Sequence, residues 1–233
     1  MADYLHEFLF GIYPYICGSV FLIGSLARFE RAQYSWRSGS SQLLRRRQLR
    51  WGSNLFHGGI LFLFFGHFFG MLTPHAVYER IIDPGSKQML AVVSGGIAGA
   101  VCLAGLSLLL HRRLFDDRIR ATSSAMDIAI LAILWFQLVL GLATLPSSIA
   151  HADGSVMLRL SEWAQRIVTF RAGAAELVAG LDWPYLVHMA LGMTIFLIFP
   201  FGRLVHIWSA PVGYVFRKPQ VVRRRGARAR PEA

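Results

Sequence analysis

Apolar and polar positions divide this chain into five long hydrophobic runs separated by charged connections. The runs extend roughly from Leu5 to Ala27, Ser53 to Leu72, Met89 to Leu110, Ala125 to Pro146 and Pro184 to Trp208. At about 1.5 Å of rise per residue, a helix of each length crosses a hydrocarbon core of about 30 Å. All five are therefore expected to be membrane-spanning helices. Pro14 and Pro200 fall inside the first and last, where a membrane helix tolerates a kink if neighbours satisfy the freed carbonyls. The longest connection, Ser147 to Trp183, carries Val156, Leu160, Trp163, Ile167 and Phe170 at spacings of three and four, behind Asp153 and Ser155 as start signals. This predicts an amphipathic helix on the membrane surface, either a lid over a lipid-soluble substrate or a cover for the bundle. The expected fold is an all-α membrane protein, a five-helix bundle over residues 1–217, followed by a basic tail at 218–233 expected to be disordered.

Composition supports that reading: of 233 residues, 55% are hydrophobic and only 16% charged, which is too apolar for an ordinary soluble domain. The N-terminus carries Asp3 and Glu7 and no basic stretch before its apolar run, so the first segment is expected to remain as an anchor rather than be cleaved. Basic residues set the expected orientation. Arg28, Arg31, Arg37, Arg45, Arg46, Arg47 and Arg50 follow the first span; Arg112, Arg113, Arg118 and Arg120 follow the third; Arg217, Lys218, Arg223, Arg224, Arg225, Arg228 and Arg230 follow the fifth. These are 18 of the 24 Lys and Arg. The other side has Arg80, Lys87, Arg159, Arg166 and Arg171, and Arg203 lies within the last span. The positive-inside bias places the N-terminus outside and the tail in the cytoplasm. It also accounts for the net charge of +11 through topology and anionic lipid headgroups, with no need for a nucleic-acid partner. Cys17 and Cys102 sit in apolar runs as small buried hydrophobes, and the absence of C-x-x-C-H argues against covalently attached haem.

Four histidines, His57 and His67 in the second span and His188 and His206 in the last, are the chemically informative residues. An ionisable side chain inside a bilayer is costly and marks function by default, and neutral imidazole is a standard axial ligand of haem iron. Ten residues separate His57 from His67 and eighteen separate His188 from His206, so rises of about 15 Å and about 27 Å forbid either helix from binding one iron with both of its histidines. Each iron must take one ligand from each helix. Antiparallel helices then pair His57 with His206 near the cytoplasm and His67 with His188 near the outer face. The unequal rises leave about 12 Å to be absorbed by tilt and a kink at Pro200. His75 matches on rise but follows Thr73-Pro74, which discourages helix continuation. His6, His111 and His151 read as interfacial residues. A proton relay is the rival chemistry, although Asp127, near the start of the fourth span where Ser123 and Ser124 cap it, is the sole carboxylate candidate. Small residues in the third span (Gly95, Gly96, Ala98, Gly99, Ala100, Ala104, Gly105) and Gly58, Gly59, Gly66 and Gly70 suit close helix packing or a flat macrocycle.

The segments SNLFHGGILFLFFGHFFGMLTPH, RRLFDDRIRATSSAMDI, WAQRIVTFRAG and HMALGMTIFLIFPFGRLVHIWSAPV, with GIYPYICGSVFLIGS and QYSWRSGSSQ earlier, closely resemble the gamma subunits of membrane-bound respiratory nitrate reductases, to about Arg217. The resemblance implies a quinol-oxidising cytochrome b with two haem b groups on these four histidines. It also implies two partners, an iron–sulfur electron-transfer subunit and a molybdenum-cofactor subunit where nitrate is reduced. Lys87 matches the family's lysine at the start of the third span and is implied to bind menaquinol or ubiquinol. Arg37, Arg113 and Arg203 are expected propionate partners at the cytoplasmic haem, because carboxylates near a membrane favour a charge-assisted fork. The related alternative is a cytochrome b feeding a sulfur-compound or disulfide reductase. From another class, an anchor or a transporter without quinone chemistry would share the spans.

Overall fold

The computed structural model describes residues 2–36, 44, 46–209, 213 and 216–218, all helical or irregular. Arg37, Arg45 and residues 219–233, which include most of the basic tail, lie outside the described residues. Among the described residues, five helices are long and apolar enough to cross a membrane. We number the main helices α1 (Tyr13–Ala32), α2 (Arg46–Leu72), α3 (Pro84–Phe115), α4 (Ala125–Ala143), α5 (Ser155–Val168) and α6 (Trp183–Ile198).

Local chemistry explains where they begin. Pro84 stands at the first position of α3, where its missing N–H costs nothing, and the Asp83 carboxylate accepts from Ser86 N at 2.9 Å. Ser124 and Asp127 form a reciprocal capping box at the start of α4, whereas Ser123 serves elsewhere. Before α1, the helical Ala2–Glu7 runs into a π-helical turn at Phe8–Ile12. Pro14 follows one turn later, and its absent N–H and bulky ring are a sufficient reason for that widened turn.

The second and third spans pack through small residues. Gly52 and Gly59 lie seven residues apart on one face of α2, and a Cβ on Gly59 would sit 2.6 Å from Cys102 Cβ. On the opposing α3, a Cβ on Gly105 would lie 2.4 Å from Phe56 N, so Gly105→Ala forces two backbones apart at a cost of about 1–3 kcal/mol. Helix packing thus claims these glycines. Gly66 and Gly70 continue the same stripe of α2 toward its other end, yet a Cβ on either meets nothing within 4 Å. The two helices part there.

The amphipathic helix α5 covers the end of the bundle. Val156, Trp163 and Ala164 are buried with Phe10, Val178, Leu181, Tyr185 and Met189, and Trp163 Nε1 donates to Phe10 O at 2.9 Å. Gln165 Nε2 donates to Met71 O and Thr73 O, which joins α5 to the end of α2. Phe170 departs from the expected buried face. It has φ 57, is 81% exposed and stacks on Tyr15, because the helix has already ended at Val168.

The fifth span also differs from the expected single kinked helix to Trp208. The α-helix ends at Ile198, followed by 3-10 turns at Phe199–Phe201 and Arg203–Ser209 with Gly202 extended between them. Pro200 supplies the reason, since it removes a donor and its ring crowds the preceding turn. Gly202 presses on α4 so closely that a Cβ would stand 2.0 Å from Ile130 Cδ1. Beyond the break the chain folds back, because the Trp208 ring lies 6.3 Å from that of Phe199 and Phe21 touches Phe196, Phe199 and Trp208 together.

Candidate functional site

All four intramembrane histidines share one hydrogen-bond pattern. His57 Nδ1 lies 2.8 Å from Ser53 O, His67 Nδ1 2.8 Å from Leu63 O, His206 Nδ1 2.6 Å from Arg203 O, and His188 Nδ1 3.1 Å from Gln137 O. A carbonyl can only accept, so each Nδ1 carries a proton and Nε2 is the ring nitrogen left available to a metal. That tautomer and orientation are what a metal-binding imidazole requires. Near His188 Nε2 stands the Gln137 amide at 3.5 Å, whose firmer bond is to His188 O at 3.0 Å. Gln137 and Gly141 of α4 together seat this ring: a Cβ on Gly141 would be 2.9 Å from His188 Cε1.

The structure brings His67 and His188 together, with ring centroids 6.3 Å apart and planes inclined by 40°. Two imidazoles facing one metal through bonds of about 2 Å have ring centres about 6 Å apart, so this pair has the spacing of two axial ligands. His57 and His206 make no direct ring contact among the described residues. From His188 to the end of α6 at Ile198 is ten residues, about 15 Å of rise, the same as the ten residues from His67 to His57. His206 lies beyond the break, in the 3-10 turns Arg203–Ser209, and so does not continue the rise of a single straight helix. The helices bearing the histidines pack on other helices instead of on each other: α2 lies along α3, and α6 lies between α1 and α4. His57, Gly58, Gly66 and His67 are exposed on α2. The donor set, the glycines without neighbours and the separation of α2 from α6 fit a flat macrocycle between these helices. Among the described residues no cluster of three or more His, Cys, Asp or Glu exists.

Lys87, in the first turns of α3, reaches the place where α2 and α3 part. Its Nζ donates to Gly70 O at 2.9 Å, three residues beyond His67, and stands 3.3 Å above the centroid of the Tyr78 ring. It is half-buried. His75 opens the one-turn helix His75–Tyr78 after Pro74 and pairs with Glu79 at 2.7 Å, outside the spans.

At the opposite end, Arg113 and Arg203 converge on Asp127, at 3.8 and 2.9 Å, and Arg113 Nη1 donates to Ser123 Oγ at 2.6 Å. Two guanidinium groups thus share one carboxylate beside the segment that holds His206. Arg28, which the sequence marks only as an orienting charge, is a positioning residue there. It donates to Pro200 O (2.6 Å), Gly202 O (2.7 Å), Ser35 Oγ and Ser35 O, satisfying carbonyls at the break in the last span. A lysine lacks the fork for all four bonds. Arg28→Lys is expected to disturb the His206 centre and spare the His67–His188 centre, as read by separate redox titration of the two.

The fold defines a helical membrane protein with five candidate spans, carrying four histidines on its second and last spans. Its sequence matches the nitrate reductase gamma subunit family over residues 6–225, and the chain belongs to that family. It is 53% identical over 223 residues to the respiratory nitrate reductase 1 gamma chain of Escherichia coli, covering 96% of this chain and 99% of the relative. The nitrate reductase gamma chain of Bacillus subtilis is 36% identical over 220 residues, 94% of this chain and 98% of that one. An Hdr-like menaquinol oxidoreductase cytochrome b-like subunit of Archaeoglobus profundus is 28% identical over 162 residues, 67% of this chain and 47% of the relative. Similarity over the full length thus lies with the nitrate reductases, and the chain is a membrane subunit of an oxidoreductase complex.

Proposed function

We propose that this chain is the quinol-oxidising di-haem b subunit of a respiratory nitrate reductase. In this reading menaquinol or ubiquinol is oxidised at the outer face, protons are released there, and electrons pass inward to an iron–sulfur subunit and a molybdenum-containing nitrate-reducing subunit. The observation that carries it is the shared pattern of the four histidines, each with Nδ1 on a carbonyl and Nε2 presented, two of them already ring to ring. His67 and His188 would hold the outer haem b and His57 and His206 the inner one. Haem b supplies a one-electron carrier whose potential depends on ligation, hydrogen bonding and burial.

The chain's own residues do the rest. Carbonyls of Ser53, Leu63, Gln137 and Arg203 fix the orientation of each ring by accepting a hydrogen bond from its Nδ1. Arg113 and Arg203, already sharing Asp127, would take up propionate charge; Arg37 keeps the same role as an expectation from sequence. The gap along Gly66 and Gly70 leaves Lys87 beside His67, where its ammonium can hydrogen-bond a quinol oxygen and stabilise negative charge as the proton departs. In purified complex, quinol should reduce b-type absorption bands and nitrate should reoxidise them. Bands that quinol reduces and nitrate leaves untouched would contradict the nitrate-reducing assignment.

The proposed orientation has the Arg113–Asp127–Arg203 end in the cytoplasm and the α5 end outside, consistent with the charge bias. Cysteines replacing the exposed Arg80 and Arg118 test it, since Cys17 and Cys102 are fully buried. An impermeant maleimide should label Arg80→Cys in intact cells and Arg118→Cys only after lysis. The reverse pattern would invert the proposed electron path.

A further inference from the structure

Next to Lys87, on the side facing α5, lies a cavity of about 150 Å³ lined by His75, Tyr78, Leu158, Ser161, Glu162 and Gln165. Two of these residues are buried with polar groups unsatisfied. Tyr78 is 7% and Ser161 4% exposed, and neither hydroxyl finds a hydrogen-bond partner among the described residues. A buried hydroxyl without a partner costs about 1–3 kcal/mol, so natural structures normally give it water when there is room. At about 30 Å³ per molecule in the liquid, this cavity has room for several waters, with polar groups on more than one side. Its rim is acid–base in character. His75 and Glu79 form a half-exposed pair at 2.7 Å, and Glu162 meets Arg166 and Arg171 at 3.0 and 3.3 Å.

We propose that this cavity is a water-filled proton outlet, carrying protons from the Lys87 site past Tyr78 and Ser161 to the His75–Glu79 pair at the outer surface. The inference rests on the quinol reading of Lys87. Oxidation of one quinol to quinone breaks two O–H bonds, sends two electrons inward along the haem chain and leaves two protons to be removed. Lys87 cannot remove them alone, because an ammonium has no acceptor. Tyr78 is suitably placed, since its ring lies under Lys87 Nζ while the same side chain lines the cavity. Burial pushes the Tyr78 phenol above its usual range, so it passes protons between waters as a neutral hydroxyl and does not act as an ionised base. Gln165, bonded to Met71 O and Thr73 O, fixes α5 as the cavity wall. The covering helix thereby gains a role beyond closing the bundle.

The test uses the assembled complex. Radiolytic hydroxyl-radical labelling, which reports bound water, should modify Tyr78 despite its burial. Ser161→Leu should fill the cavity, abolish that labelling, retain both haems, and slow quinol-driven haem reduction about 10-fold or more with a larger solvent deuterium isotope effect. Tyr78→Phe should slow it likewise and decides the matter if Ser161→Leu fails to assemble. Nitrate reduction from an artificial donor to the iron–sulfur partner should be unchanged in both. Normal quinol turnover with an unchanged isotope effect in both variants, or in Tyr78→Phe if it alone assembles, while Lys87→Ala is inactive, would overturn the outlet and spare the quinol site. Normal turnover in Lys87→Ala would instead overturn the quinol reading itself.

Discussion

Replacing His67 by alanine should remove the outer haem and leave the inner one, and His206→Ala should do the converse. In the proposed assignment each centre would take one ligand from α2 and one from the last span, so each substitution would leave a single imidazole at its own site and both at the other. His67 faces His188 with ring centroids at 6.3 Å, and neither ring touches the inner pair. Haem per polypeptide should fall from about two to about one. The surviving centre should keep its potential, because the carbonyls that orient its ligands belong to other residues. His188→Ala should repeat the His67→Ala result. Retention of both haems in all three variants would remove the ligand assignment.

Loss of quinol-driven reduction with both haems present is the expected result for Lys87→Ala. The Lys87 ammonium donates to Gly70 O and rests on the Tyr78 ring, so the change costs about 1.5–3 kcal/mol of charge-assisted hydrogen bonding. That is modest for a bundle of five spans, and no histidine depends on Lys87 for its orientation. Lys87→Met keeps the stem over the ring and removes only the charge. It should show the same loss of quinol oxidation by 10-fold or more if the ammonium stabilises charge on the departing quinol oxygen, a contribution of about 10²–10³ when such a donor is removed. Electrons from an artificial donor to the iron–sulfur subunit should still reach nitrate. Near-normal quinol:nitrate turnover in both variants would leave Lys87 as a bond between α2 and α3.

The spans were legible in the sequence because length and apolar composition decide them, and the start at Ser124 announced itself through capping chemistry, whereas the third helix begins at Pro84, five residues before the apolar run that marked it. Less legible was anything that depends on where helices part or turn. The small-residue stripe of α2 is continuous in sequence, yet its Gly52 and Gly59 are packed while Gly66 and Gly70 stand open, a difference set by the path of α3. Pro200 signalled a kink, but the reversal beyond it depends on Gly202 against Ile130 and on Phe21 gathering Phe199 and Trp208. Arg28 was hidden among orienting arginines because charge counts do not reveal which guanidinium meets a freed carbonyl. Gln137 had a readable signal, an amide midway along an otherwise apolar span, and its role as a seat for His188 follows from that placement.

On the proposed reading, this chain holds two haem b groups, one on His57–His206 and one on His67–His188. Potentiometric titration of the purified complex, combined with a haem count per polypeptide, tests it most directly. Two b-type centres per chain with separable potentials, each lost with its own histidine, is the predicted result; a single centre, or none, would contradict it.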